Sequence, residues 1–324
     1  MSRVLELDGS AGIAHLGARF ELDAGGHIAG GVVAFERRGP PDAPLLVALG
    51  GISADRRVGH WWSQQVGDGR CFDADAFQWL GIDWIGGAGA SSSPNGRWPG
   101  PEQVVDARDQ ARALVAVLDA LGIERAALLV GASYGGQVAL AAGVLFPERF
   151  ARLAVLGAAH RADHKAVAQR ALVRRVLELG AKCGAEHEAL AIARGLGLVT
   201  YLGAGEWEQR FSPASKVEPW LEQQGRRFAQ SFDAAALWRL TLSLDRFELE
   251  PECIQVPLAL LSFAGDGVVP APLVRELAER CAQPAGHQTL HTEFGHDAFL
   301  REQKAVGAWL LTQREEALTA GGVR

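Results

Sequence analysis

Gly131-Ala132-Ser133-Tyr134-Gly135 fits the pattern Gly-x-Ser-x-Gly, and what stands on either side of it decides the fold. Ahead of it runs Ala126-Ala127-Leu128-Leu129-Val130, a short apolar segment of buried-strand type. Behind it, Gln137 to Leu145 reads as a helix rich in Ala, Val and Leu. The serine therefore falls on a strand-to-helix turn, the setting a nucleophile elbow requires. Such a turn strains the backbone of its nucleophile, and glycines two residues to either side let strand and helix pass without Cβ clashes. The bare pattern also arises by chance, and a plain Gly-rich connection is the alternative; the flanking strand and helix favour catalysis.

Working outward, segments of strand type recur with helical segments between them: Leu45 to Leu49, Phe77 to Ile85, Ala126 to Val130, Leu153 to Gly157 and Pro257 to Phe263. Glu102 to Leu121 carries apolar residues at helical spacing and stops before Gly122, an expected C-cap. The alternation predicts an α/β fold with a mostly parallel sheet and helices on both faces. Val32 to Arg37 reads as one strand of an antiparallel lead-in. Between His160 and Glu250 the composition changes to Arg, Glu, Gln, Ala and Leu, with Ala166 to Leu179 and Pro219 to Gln230 helical and no core strand before Val256. The expected organisation is a core of residues 1–159 and 251–324 with a helical lid inserted at 160–250; a separate domain with its own function is the alternative.

The chain has 324 residues, 48% of them hydrophobic, enough for one large domain carrying an insertion. A net charge of −6 argues against nucleic-acid or anionic-membrane binding, which relies on surplus Lys and Arg, and leaves a small molecule as the expected partner. Cys71, Cys183, Cys253 and Cys281 are far apart with no Cys-x-x-Cys pair, so neither a metal site nor a disulfide framework is expected. Met1 to Asp8 offers no apolar run of signal-peptide type, and no later stretch approaches the roughly 18 apolar residues of a membrane span. A cytoplasmic location is expected.

A serine hydroxyl is a weak nucleophile at neutral pH and needs a base, with a third group to orient it. Leu258 to Asp266 is an apolar strand ending in a Gly-Asp turn, which places Asp266 at the carboxyl edge of the sheet as the candidate acid. His291-Thr292-Glu293-Phe294-Gly295-His296-Asp297 puts His296 on a loop before the last helix as the candidate base. Ser133, Asp266, His296 is the chain order of an α/β-hydrolase triad. Taken alone, Asp266 reads better as a turn former, and only the serine elbow upstream and the histidine downstream favour catalysis; His287 and His291 compete with His296 from within or before a strand. Asp297 could cap the final helix or contact substrate. The oxyanion formed on attack needs N–H donors. Tyr134, after the nucleophile, supplies one; the second is expected from the strand end at Leu49-Gly50, in the run Leu49-Gly50-Gly51-Ile52-Ser53.

Beyond the elbow, several blocks together resemble the homoserine O-acyltransferase family, whose members transfer acetyl or succinyl groups. They are Gly295-His296-Asp297-Ala298-Phe299-Leu300, Trp61-Trp62 with Val66-Gly67, the stretch from Gly86-Gly87 to Pro94, and Phe232-Asp233-Ala234. The resemblance spans about Ala34 to Leu311. It implies a ping-pong reaction in which Ser133 takes an acyl group from acyl-CoA, the co-substrate, and passes it to the hydroxyl of homoserine for methionine synthesis. It also implies a homodimer built through lid helices, and a role for Asp297 in holding the amino acid.

Three departures accompany the resemblance. Where the family has a Tyr-Arg-Ser block whose arginine grips the amino-acid carboxylate, this chain has Thr200-Tyr201-Leu202-Gly203, so that bidentate partner is missing. Arg194, Arg210 and Arg227 are the candidates to replace it. The oxyanion strand end reads Ala48-Leu49-Gly50 and is followed by Arg56-Arg57, which could pair with the free carboxylate of a succinyl group or simply be solvated. The chain is also short for the family. A hydrolase of small esters would use the same triad with water as acceptor, and serine is a further candidate acceptor. A non-catalytic binding protein on this fold would be expected to lack a triad member.

Overall fold

Leu45, Val47 and Leu49 point to one side of their strand and Leu46 and Ala48 to the other, and both sides are buried. A strand of unbroken apolar residues is what a parallel sheet covered on both faces demands. The computed structural model describes residues 4–6, 10–96 and 98–320. Its strands are β1 (Val4–Glu6), β2 (Ala11–His15), β3 (Arg19–Glu21), β4 (His27–Ala29), β5 (Val32–Arg38), β6 (Leu45–Leu49), β7 (Gln78–Ile82), β8 (Leu128–Ala132), β9 (Leu153–Leu156), β10 (Leu258–Phe263) and β11 (Pro284–Leu290). Among the described residues nine strands form one sheet in the order β1-β2-β5-β7-β6-β8-β9-β10-β11, and β3 pairs with β4 apart from it. From β7 to β11 all neighbours run parallel, while β1, β2, β5 and β7 meet antiparallel. This is an α/β-hydrolase fold.

The helices are α1 (Val58–Trp61), α2 (Ala107–Ala120), α3 (Tyr134–Leu145), α4 (His164–Cys183), α5 (Glu186–Tyr201), α6 (Ala204–Arg210), α7 (Val217–Ala229), α8 (Ala234–Arg246), α9 (Ala271–Arg280), α10 (Ala298–Arg301) and α11 (Gln303–Ala320). One face of the sheet packs against α2, α3 and α9, the other against α1, α10 and α11. A reciprocal capping box between Asp106 and Asp109 starts α2, and Gly122 just past its end takes φ +69°. The helix is shorter than the span from Glu102, because residues 101–103 form a separate 3₁₀ turn.

Five helices, α4 to α8, lie between β9 and β10 and share a small apolar core built on Val173, Leu177, Leu190, Leu237 and Trp238. The two legs of this lid touch where they leave the sheet: the backbones of Arg161 and Glu248 pair antiparallel, and the Leu249 N–H donates to the His160 carbonyl. Among the described residues no helix is long and apolar enough to cross a membrane.

Candidate active site

The elbow is built by close backbone approach. A Cβ on Gly131 would collide with the Gly135 carbonyl, and one on Gly135 with the Leu49 carbonyl, so β8, α3 and the end of β6 converge only because both positions are bare. Ser133, between them, holds φ +54° and ψ −118°; among the described residues it is the single non-glycine with positive φ. That conformation costs on the order of 1–3 kcal/mol and lifts the side chain clear of the sheet.

Three residues meet there. The Ser133 hydroxyl lies 2.8 Å from His296 Nε2, and His296 Nδ1 lies 2.7 Å from Asp266 Oδ2. With the imidazole neutral, Nδ1–H donates to the carboxylate and the serine O–H donates to Nε2. The other oxygen of Asp266 accepts the N–H groups of Val268 and Val269 at 2.8 and 2.9 Å, which locks the carboxylate beyond β10. Burial alone would lower the pKa of His296, but the charge and hydrogen bond of Asp266 outweigh it and hold the imidazole above its ordinary value. His287, by contrast, bonds the buried Ser262 hydroxyl between β10 and β11, well away from Ser133 in the sheet, and His291 is an exposed residue.

Tyr134 is the first residue of α3, so its N–H has no partner within the helix and stands directly behind the serine. Of the strand-end residues, Leu49 and Gly50 do not line the cavity. Leu49 is packed in the core, and the Gly50 carbonyl accepts the Gly135 N–H at 2.8 Å while its Cα faces Trp61. Gly51, one residue further, lines the cavity within 4 Å of the Ser133 side chain.

The cavity over Ser133 encloses about 750 Å³ including its mouth, with an apolar side formed by Trp61, Leu244, Val268 and Phe299. Its charged side holds Arg170, Arg194 and Asp297. Arg170 is committed to Asp245, which also pairs with Arg174. Arg194 makes no ion pair among the described residues; its guanidinium lies 5.9 Å from the Tyr201 ring centre and 4.9 Å from that of Phe228. Asp297 starts α10 without a side-chain cap bond. Burial pushes its carboxyl above the ordinary range, and His296 and Arg194 pull it part of the way back. A free guanidinium and a free carboxylate thus face one small volume beside the nucleophile.

The remaining arginines go elsewhere. Arg56 pairs with the buried Asp83 at 2.5 Å and Arg57 with Asp55, both in a neighbouring cleft and outside the Ser133 cavity. Succinyl recognition by this pair finds no geometric support, since each guanidinium is already engaged. Arg210 pairs with Glu206, and Arg227 is exposed on α7. The change from Arg-Ser to Leu202-Gly203 has a steric counterpart: Leu202 is buried, and a Cβ at Gly203 would collide with the Glu293 carbonyl beside the His296 loop. Arg170 and Leu244 escaped the sequence reading because only lid packing brings them to the site, while Gly51 lies within the run expected to supply the second donor, one residue beyond the strand end.

A family model for the α/β-hydrolase fold matches residues 44–181. A homoserine O-succinyltransferase of Xanthomonas campestris is 32% identical over 86% of this chain and 77% of its own length. The crystal structure of a homoserine O-acetyltransferase from Staphylococcus aureus superposes with a TM-score of 0.79 at 24% identity, covering 98% of this chain and 95% of that one. Esterase E22 superposes with a TM-score of 0.82 at 17% identity, covering 95% and 99%. Transferase and esterase chains therefore share this backbone, and the two structural matches speak for the fold alone.

Proposed function

The chain belongs to the homoserine O-acyltransferase family of the α/β-hydrolase fold, and on that premise we propose that it moves an acyl group from a CoA thioester through Ser133 to the side-chain hydroxyl of L-homoserine. The observation that carries this reading is the free pair Arg194 and Asp297 facing the nucleophile. A guanidinium and a carboxylate across a small cavity match the carboxylate and ammonium of an amino acid, and Arg194 takes the role left open by Leu202.

In this mechanism His296 Nε2 accepts the Ser133 proton as Oγ attacks the thioester carbonyl. The negative charge on that oxygen is met by the N–H of Tyr134 and, in our assignment, of Gly51, each such donor contributing about 3–4 kcal/mol to the transition state. The C–S bond breaks, CoA leaves as the thiol with the proton from His296, and the acyl ester remains on Ser133. Homoserine then binds between Arg194 and Asp297, its hydroxyl gives its proton to His296 while attacking the ester, and Ser133 recovers the proton. Asp266 keeps Nδ1 protonated throughout. The acyl group is acetyl or succinyl, and the product is an O-acylhomoserine for methionine synthesis in the cytoplasm.

The dimer implied by the family fits the lid. Of the six large apolar side chains exposed among the described residues, five lie on α4 and α5: Leu172, Leu179, Ile192, Leu196 and Val199. Such a stripe is the usual mark of a protein contact.

The test is CoA release from acetyl-CoA and from succinyl-CoA, with and without L-homoserine. Strong stimulation by homoserine with one donor, lost in Ser133→Ala, is the expected result. Equal release in its absence would mean water is the acceptor and would make the protein an esterase-type hydrolase.

A further inference from the structure

The lid is usually pictured as a cover, yet its last helix is wired into the catalytic machinery. The Tyr134 hydroxyl, fully buried, lies 2.8 Å from the hydroxyl of Ser243 on α8, which is itself fully buried. The ring of Tyr134 meets the edge of Trp84 with centroids 5.0 Å apart and planes at 73°. Trp84 in turn donates its indole N–H to the Gly51 carbonyl at 3.1 Å. One chain of contacts therefore runs Ser243, Tyr134, Trp84, Gly51, and its last three members include both residues assigned to the oxyanion.

We propose that Ser243 is a positioning residue for acyl transfer, holding the Tyr134 ring and, through Trp84, the Gly51 carbonyl, and so fixing the turn in which the Gly51 N–H, set by the Gly50 carbonyl on Gly135, and the Tyr134 N–H face the developing oxyanion. The inference rests on the acyl-enzyme reading of Ser133. Its physical basis is that oxyanion stabilisation depends on donors fixed before the charge appears, and a donor free to rotate loses much of its effect. Tyr134 is held at both ends, by its backbone at the start of α3 and by its hydroxyl in the lid. Burial pushes its phenol far above the ordinary range, so the hydroxyl keeps its proton at any working pH. The anchor is itself rigid: α8 is docked on the core by Arg239, which donates to the Gln103 side chain and the Gly86 carbonyl, and by Gln137, which donates to the Leu244 carbonyl. Neither Ser243 nor the Tyr134 hydroxyl lines the Ser133 cavity.

The experiment compares Ser243→Ala, Tyr134→Phe, the double variant and Ser243→Thr for kcat, for KM of both substrates and for the pH profile, with thermal melts beside them. Each single variant is expected to lower kcat about 10-fold, with both KM values within about twofold and the acid limb unmoved. The double variant should be no slower than the worse single, because the two hydroxyls act as one unit, and Ser243→Thr should recover most of the rate. A purely structural bond would lower the melting temperature and leave kcat well below it untouched. Wild-type kcat in both single variants, a loss confined to KM, or effects that multiply in the double would overturn the proposal. Repeating the series on a p-nitrophenyl ester, whose turnover needs Ser133 acylation and hydrolysis of the acyl ester by water but no homoserine, separates its failure from a failure of the homoserine reading: if transfer to homoserine is absent while the ester shows the kcat pattern, the reading falls and the positioning role stands.

Discussion

Arg194 and Asp297 line the same cavity beside Ser133 without forming an ion pair among the described residues, and that arrangement predicts their mutant behaviour. Asp297→Asn and Arg194→Gln should each raise KM for homoserine by roughly 10- to 100-fold, the loss of about 1.4–3 kcal/mol of ground-state binding, while the rate of Ser133 acylation by the CoA thioester stays close to wild type. Single-turnover acylation followed by intact mass, set against steady-state KM, checks this; equal damage to both half-reactions would contradict it. The base allows a second prediction. His296 must be neutral to take a proton, and Asp266 holds its pKa above the ordinary value despite burial. The acid limb of kcat/KM should therefore lie at higher pH than for a solvated imidazole. In Asp266→Asn the lifting charge is gone and burial remains, so the limb should move to lower pH, with turnover down about 10⁴-fold. A limb that stays in place in the variant would assign it to another group.

At the level of elements, α8 is held by a buried cation, Arg239, that makes no ion pair among the described residues and feels only the charge of Asp233. Arg239 satisfies Gln103 and Gly86, and burial presses its pKa down. Arg239→Ala strands those two acceptors and should cost about 2–4 kcal/mol in urea unfolding, with Arg239→Lys recovering little because an ammonium cannot span both. A loss below about 1 kcal/mol would show that water replaces it. The same helix shows where sequence reading stops. The core strands were legible because a parallel strand is apolar throughout, and β6 falls where its run of apolar residues stands. Of the lid helices, α4 and α7 carry a clear periodic stripe. Gly195, Gly197, Val199 and Thr200 blunt helix propensity in α5, and α8 is apolar on a face whose purpose is visible only with α4 and α3 beside it. Ser133, Asp266 and His296 each announce themselves by a local strand-turn signal; Trp84, Ser243 and Arg170 carry none, since their contacts are to residues 33 to 109 positions away.

For the molecule as a whole, the apolar stripe on α4 and α5 turns the dimer into a measurable claim. Leu172→Glu together with Ile192→Glu should convert a dimer to a monomer by light scattering while leaving the melting transition cooperative; a wild type that is already monomeric at micromolar concentration would remove it. The lid also meets the catalytic loop at its far end, where Gly203 lies so close to the Glu293 carbonyl and the Gly295 N–H that neither position tolerates a Cβ. This contact bears on protein engineering. Esterases of this architecture invite swapping of the helical insertion as a cassette, cut at its two legs. Here such a graft would bring a foreign side chain against the segment that carries the imidazole, so chimaeras should fold and yet be inert unless residues 201–203 and 293–296 are transplanted as a matched set.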